Sequence, residues 1–172
     1  MAIVSNGTTI IDNGSLASGF GGKVLQVVST TKTNTFSTNP GNSQVDITGF
    51  SASITPASSS NKVLIQISLM GAGVNGANIA NFRLLRGSTV IYQGDADSSR
   101  GRGFSTAMEI DQYTQMSNSG TFLDSPSTTS STTYKVQVRS NNTVYINRAS
   151  TSQDDAGNYR TASTITLMEI GA

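Results

Sequence analysis

Cysteine, histidine and tryptophan are absent from the 172 residues of this chain, and only three residues are proline. Without cysteine there are no disulfides and no thiolate metal sites, and without histidine the side chain that most often transfers protons near neutral pH is missing. Serine and threonine, by contrast, supply 26 and 22 residues. Because this composition suits β-structure and turns, we predict a protein that is not an enzyme and has no cofactor.

Charged residues and long apolar runs are also scarce, and this limits the classes of partner that the protein can bind. Eleven basic residues face ten acidic ones, for a formal net charge of +1. Phosphate binding needs concentrated Lys and Arg, and the densest basic stretch (Arg83, Arg86, Arg100, Arg102) is interrupted by Asp95 and Asp97. No apolar run approaches the ~20 residues that span a bilayer, and the chain begins without a secretory signal pattern. We therefore predict no nucleic-acid or membrane partner, and synthesis in a host cytoplasm.

Residues 1–22 differ from the remainder because five glycines separate their apolar residues. Such a segment has too few contacts to offset an ordering cost of about 1–2 kcal/mol per residue, so alone it should be mobile. One interpretation is an N-terminal arm that becomes ordered on a second protein through its apolar side chains, namely Ile3, Val4, Ile10, Ile11, Leu16 and Phe20. The other is a frayed leader that ends in a flexible Gly21-Gly22 hinge.

From Lys23 onward the apolar residues alternate with a period of two, and no window shows a helical period. The alternation changes phase at Thr48-Gly49, which predicts a β-bulge or a corner. Gly87-Ser88 and Asn141-Asn142 separate pairs of strands and predict two hairpins. We predict an all-β domain over residues 23–172, an antiparallel β-sandwich with a jelly roll of about nine or ten strands.

The strand over residues 62–70 has an unusual second face. Val63, Ile65, Ile67 and Leu69 share one face, while the other is only half polar and carries Leu64 and Met70. That second face predicts either a subunit interface or an ordinary inter-sheet core.

Close acidic pairs are the remaining candidates for chemistry, and they are Asp95 with Asp97, Glu109 with Asp111, and Asp154 with Asp155. A glycosidase needs two carboxylates flanking a sugar, and Glu109 and Asp111 on one strand face would lie about 7 Å apart. No tryptophan platform accompanies them, and the spacing of a dedicated calcium loop is missing. We interpret these acids as solvated loop residues and predict no catalytic or metal site.

The chain resembles a β-rich domain of tailed bacteriophages, found at the ends of tail-fibre-like proteins and as small virion proteins. The resemblance covers about residues 22–170 and lies in strand sequences, among them residues 22–28, 82–92, 122–126, 133–138 and 163–170. It implies a trimeric jelly roll of the C1q and tumour-necrosis-factor type, hence a homotrimer on a virion surface.

A full fibre would carry a shaft, whereas only the 22-residue arm precedes this domain. The resemblance therefore implies a capsid decoration protein, a head fibre or a small tail-fibre component that is held by another capsid or tail protein. The alternative is an adhesin for host attachment, which would bind a host glycan or protein through loops near residues 71–80, 94–103 and 150–160.

Overall fold

The computed structural model of the chain describes residues 3–6, 8–12, 15–16, 24–74, 79–108 and 111–172. These ranges contain strands and turns but no helix. The strands are β1 (Ile3–Ser5), β2 (Thr8–Asp12), β3 (Ser15–Leu16), β4 (Val24–Lys32), β5 (Phe36–Thr38), β6 (Val45–Ile54), β7 (Lys62–Val74), β8 (Ile79–Arg86), β9 (Thr89–Tyr92), β10 (Ser105–Met108), β11 (Met116–Asp124), β12 (Thr132–Arg139), β13 (Val144–Ile146) and β14 (Ser163–Ile170).

Eight of these strands pair in the manner of a jelly roll, the first with the last and so on inward. β4 pairs with β14, β6 with β12, β7 with β11, and β8 with β10, all antiparallel. Because β14 also pairs with β7 and β12 with β8, two sheets result, ordered β4–β14–β7–β11 and β6–β12–β8–β10. β5 and β13 extend the first sheet and β9 the second. The prediction of an antiparallel jelly roll is confirmed, with eleven strands in the described part of the sandwich.

The core lies between the two sheets and is built from alternate residues of each strand. The face of β7 that carries Val63, Ile65, Ile67 and Leu69 is buried, as the alternation predicts. Burying each such side chain is worth about 1.5–3 kcal/mol. The largest buried partners from the other strands are Phe50, Ile54, Phe82, Leu84, Tyr134, Ile146, Ile165 and Leu167.

The predicted bulge in β6 is present. Lys135 of β12 lies opposite Ser51 and Gln137 opposite Asp46, so residues 47–50 face a single residue of β12. Gly49 has a φ of 76°, a backbone conformation that residues other than glycine adopt only with strain. This extra length keeps both Ile47 and Phe50 in the core.

One of the two predicted hairpins is correct. Arg86 pairs with Thr89 across Gly87-Ser88, and Gly87 has the positive φ (58°) that a two-residue turn requires. The Asn141-Asn142 hairpin is wrong: β12 belongs to one sheet, whereas β13 pairs with β5 and β7 of the other. Neither asparagine has a positive φ, so the chain crosses between sheets here instead of turning back.

Residues near the N-terminus form a separate three-stranded antiparallel meander, in which β2 pairs with β1 and β3. These strands were not predicted from the sequence, because glycines separate the apolar residues of this segment. The boundary predicted between residues 22 and 23 lies outside the described residues, as does Phe20.

Candidate functional site

The outer face of the β4–β14–β7–β11 sheet carries no charged side chain over its central rows. We call it the uncharged face. Its outward residues are Leu25, Val27, Ser29 and Thr31 of β4, Thr164, Thr166 and Met168 of β14, Leu64, Gln66, Ser68 and Met70 of β7, and Ser117, Ser119, Thr121 and Leu123 of β11.

One row of apolar side chains crosses all four strands of this face. The register places Val27 opposite Met168, Met168 opposite Leu64, and Leu64 opposite Leu123. At the two ends of the row, Val27 is 57% exposed and Leu123 is 49% exposed. Leu25, on the same side of β4, adds another side chain that is 54% exposed. Single exposed apolar residues are ordinary, whereas a continuous exposed apolar patch is typical of interaction sites.

Hydroxyl groups occupy the next two rows, and they bond one another across the strands. Ser29 Oγ lies 3.0 Å from Thr166 Oγ1, and Thr31 Oγ1 lies 3.4 Å from Thr164 Oγ1. A shallow groove of about 430 Å³ runs over these rows between β14, β7 and β11. Much of the serine and threonine of the composition is therefore sheet surface that needs no charge to remain hydrated.

The outer face of the β6–β12–β8–β10 sheet is built differently, from charges that pair with one another. Lys135 Nζ lies 2.7 Å from Asp46 Oδ2, Gln137 Nε2 donates to Asp46 Oδ1 at 2.7 Å, and Arg83 donates to Gln137 Oε1 at 2.7 and 3.0 Å. Burial raises the pKa of Asp46, but the hydrogen bonds from Lys135 and Gln137 outweigh it and leave the pKa below its ordinary value. Such a surface is suited to water.

The two outer faces are not equally suited to contact with another protein. Interface centres are depleted in charge, a property that fits the uncharged face better than the charged one. Four strands about 4.8 Å apart and eight residues of about 3.4 Å give it a flat area of roughly 500 Å², of the order of one side of a standard interface.

Of the two interface residues predicted from the sequence, both lie on the uncharged face. Leu64 and Met70 are half-buried and point away from the inter-sheet core, and Ser117 Oγ donates to Met70 Sδ at 3.2 Å. Met168, Val27 and Leu123 were not predicted. Their alternation is visible in the sequence, but only the strand register places them in one row.

Five of the six residues of the predicted docking arm fall in the N-terminal meander, and Phe20 lies outside the described residues. Ile3 and Val4 of β1 are 52% and 55% exposed. Ile10 and Ile11 lie in β2 and Leu16 in β3, where the backbone alone is described.

One described carboxylate of each acidic pair is bound within its own loop. Asp97 pairs with Arg100, and Asp155 accepts hydrogen bonds from Gly157 N (2.8 Å) and Asn158 Nδ2 (2.9 Å). β10 ends at Met108, so Asp111 lies in a bend rather than on a strand face, and Glu109 lies outside the described residues.

The described residues contain neither a metal-binding group of acidic side chains nor a membrane-spanning helix. No three acidic side chains there form a group that could hold a metal ion. Nor does this part of the chain contain a helix long and apolar enough to cross a bilayer.

Comparison with known proteins gives distant structural likenesses. No protein-family model matches the chain, and no curated protein sequence matches it significantly. The chain is similar to the structure of the Gt strain of infectious bursal disease virus, at 14% identity and a TM-score of 0.40, covering 99% of this chain and 43% of that one. T=1 particles derived from infectious bursal virus match at 15% identity, a TM-score of 0.40, and 99% and 41% coverage.

A third likeness is to the VP2 subviral particle of infectious bursal disease virus, at 15% identity and a TM-score of 0.39, with 99% and 42% coverage. The chain thus spans less than half the length of these matched chains. Its assignment as a jelly roll rests on its own strand pairing.

Proposed function

We propose that the protein is a structural component of a virion, displayed on the particle surface as a homotrimer whose subunits meet through the uncharged face. The observation that carries this proposal is the apolar row Val27–Met168–Leu64–Leu123, which crosses four strands of the uncharged face. Closed symmetric oligomers are the usual way in which one subunit buries such a surface. The resemblance to the bacteriophage domain supports the trimer and the virion.

Attachment to the particle is assigned to the N-terminal segment. The three strands of this segment pair with each other and not with the sandwich, and Ile3 and Val4 of β1 are exposed. A partner that covers these side chains would hold the sandwich away from the particle. The partner is a capsid or tail protein, and the displayed sandwich is a decoration protein, a head fibre or a small tail-fibre component.

The proposed role is one of assembly rather than catalysis. Asp97, Asp111 and Asp155, from the three predicted acidic pairs, serve an ion pair and turns of their own loops. None of them is presented in a cleft together with a second carboxylate or a nucleophile.

Purified particles test the virion assignment. We expect the chain to co-purify with particles through a density gradient and antibodies to it to label intact particles. A variant that lacks residues 1–22 should remain an oligomer and fail to join particles. Absence of the chain from particles would contradict the virion role, and normal incorporation of the shortened chain would contradict docking through the arm.

A second candidate function is host attachment, and a specific observation favours it. A cavity opens at one end of the β6–β12–β8–β10 sheet, and its lining includes Gly101 from the predicted adhesive loop 94–103 and Ile79 from the predicted segment 71–80. A displayed subunit would present this cavity to the surroundings of the particle.

A further inference from the structure

The cavity at this end of the sandwich has a volume of about 320 Å³, within the usual range of small-ligand sites. Its lining includes Arg139, Asn81 and Thr106, together with Ile79 and Asn141. None of the described residues that line it is acidic. It therefore offers one positive charge and several uncharged hydrogen-bonding groups to whatever enters.

Three of the lining residues form a row across the sheet. Arg139 of β12 lies opposite Asn81 of β8, which lies opposite Thr106 of β10. Because all three are on strands of a well-ordered sheet, the spacing of their polar groups is fixed before any ligand arrives. Fixed groups lose little conformational entropy on binding, which favours affinity.

Neighbouring backbone groups hold the two larger side chains of this row. Arg139 Nε donates to the Asn42 carbonyl at 2.8 Å. In the amide orientation that satisfies its hydrogen bonds, Asn81 Nδ2 donates to the Arg102 carbonyl at 2.6 Å, and its oxygen accepts from Gly103 N at 3.2 Å. Among the described residues no carboxylate lies within ion-pair distance of Arg139. Its outer guanidinium nitrogens therefore remain available to an external anion.

The apolar part of the cavity is Ile79, which is 56% exposed at the start of β8. Met108 lies opposite it on β10 and is 47% exposed. Aliphatic side chains beside amide and hydroxyl groups fit the two sides of a sugar ring, one made of C–H groups and the other of hydroxyls. The guanidinium suits a carboxylate, which it can bind with two parallel hydrogen bonds.

We propose that this cavity binds a saccharide that carries a carboxylate, with Arg139 on the carboxylate, Asn81 and Thr106 on ring hydroxyls, and Ile79 against the ring. This inference rests on the second candidate function and names its ligand class. It does not depend on the uncharged face, which belongs to the other sheet.

Binding to matched acidic and neutral sugars tests the proposal on the full chain. Calorimetry would compare three pairs of oligosaccharides, built on galacturonate, glucuronate and sialate, each as the free acid and as the methyl ester. We expect at least one acid to bind about tenfold or more tightly than its ester, because the ester lacks the charge that strengthens the hydrogen bonds from Arg139. Equal affinity for acid and ester in all three pairs would overturn the proposal.

Two variants place the binding in the cavity. Arg139→Gln should remove the preference for the acid, and Ile79→Asp, at a position that is 56% exposed, should weaken binding of the acid by repulsion. Arg100→Gln is the matched control, because that guanidinium pairs with Asp97 in its own loop. Unchanged acid binding in Arg139→Gln and Ile79→Asp would place the sugar elsewhere and overturn the proposal.

The same samples separate this inference from the assembly. An oligomer that binds no acidic sugar contradicts only the cavity proposal. A monomer that binds the acid through Arg139 contradicts only self-association. Particles that contain the chain but attach normally with Arg139→Gln would remove host attachment while leaving the virion role.

Discussion

Gly120 lies beneath an aromatic stack that leaves no room for a side chain. Tyr92 stacks on Phe104 and on Phe122 with ring centroids 5.3 and 5.1 Å apart. A Cβ atom at Gly120 would lie 3.0 Å from Phe104 and 3.1 Å from Tyr92. Because the rings must shift, we expect Gly120→Ala to lower the free energy of unfolding by about 1–3 kcal/mol, as measured by chemical denaturation.

Gly94→Ala is the matched control for this prediction. The nearest atom to a Cβ at Gly94 would be the Gly103 carbonyl oxygen at 3.7 Å, an ordinary contact. We expect a change within about 0.5 kcal/mol for this variant. Equal losses in the two variants would show that the stack does not depend on a glycine.

Glu169 is a carboxylate held inside the sandwich at 1% exposure. Its oxygens accept hydrogen bonds from Ala57 N at 2.7 Å, Asn61 Nδ2 at 2.5 Å and Gln26 Nε2 at 2.6 Å. Burial raises the pKa of Glu169, but these bonds outweigh it and hold the pKa below its ordinary value of 4.5. The ionised form is thus the one that the fold requires.

Acid unfolding should reveal this group. Between the lowered folded pKa and the unfolded one, the folded state binds fewer protons, so the contribution of Glu169 is present above about pH 4.5 and is lost as the pH falls through the folded value. We expect Glu169→Gln to be less stable at neutral pH and to lose stability less steeply in acid, by urea unfolding across this range. An acid slope identical to that of the wild type would contradict this.

At the scale of elements, one buried asparagine joins several strands. Asn147 follows β13 with a φ of 62° and no exposed surface. Its Nδ2 donates to the carbonyls of Lys32 (2.8 Å) and Asn34 (3.0 Å), and its Oδ1 accepts from Ser163 Oγ at 2.6 Å. It thereby ties the end of β4 and the start of β14 to the end of β13.

Two substitutions separate the hydrogen bonds of Asn147 from its backbone conformation. Asn147→Ala loses the bonds and also places an alanine at positive φ, whereas Asn147→Gly loses only the bonds. We expect both to destabilise the fold by at least about 2 kcal/mol, and the alanine variant to be about 1 kcal/mol worse. Thermal unfolding measures both changes, and a fully stable glycine variant would mean that these bonds contribute nothing.

The sequence was sufficient to predict the buried face of a strand whose alternation is long. It was insufficient to predict which strands pair with one another. Residues 62–70 alternate over many positions, so their buried face could be predicted. β13 has three residues, and the same alternation fits either sheet, which is why its pairing was predicted wrongly. β5 is equally short and was missed.

The candidate face was found only in part for a related reason. Leu64 and Met70 stand out because they are apolar on the second face of a strand that is already recognised. Val27, Met168 and Leu123 come from three other strands, and sequence alternation does not say which residues lie side by side. Register, which depends on long-range pairing, is what joins them to Leu64.

For the whole molecule, the division between its two outer faces is the feature with the largest consequence. One face satisfies its charges internally through Asp46, Lys135 and Arg83, and the other presents the apolar row and hydroxyls. Self-association that buries the row should therefore depend little on salt, because no ion pair crosses it. It should depend strongly on any charge placed in the row, since a buried unpaired ion costs several kcal/mol.

Sedimentation equilibrium of the full chain tests this claim most directly. With a subunit of 17.9 kDa, we predict a mass three times as large for the wild type and the subunit mass for Leu123→Glu. Ser53→Glu, which places the same charge on the opposite outer face, should keep the wild-type mass. A wild type that sediments as a monomer, or a Leu123→Glu variant that remains a trimer, would contradict the account.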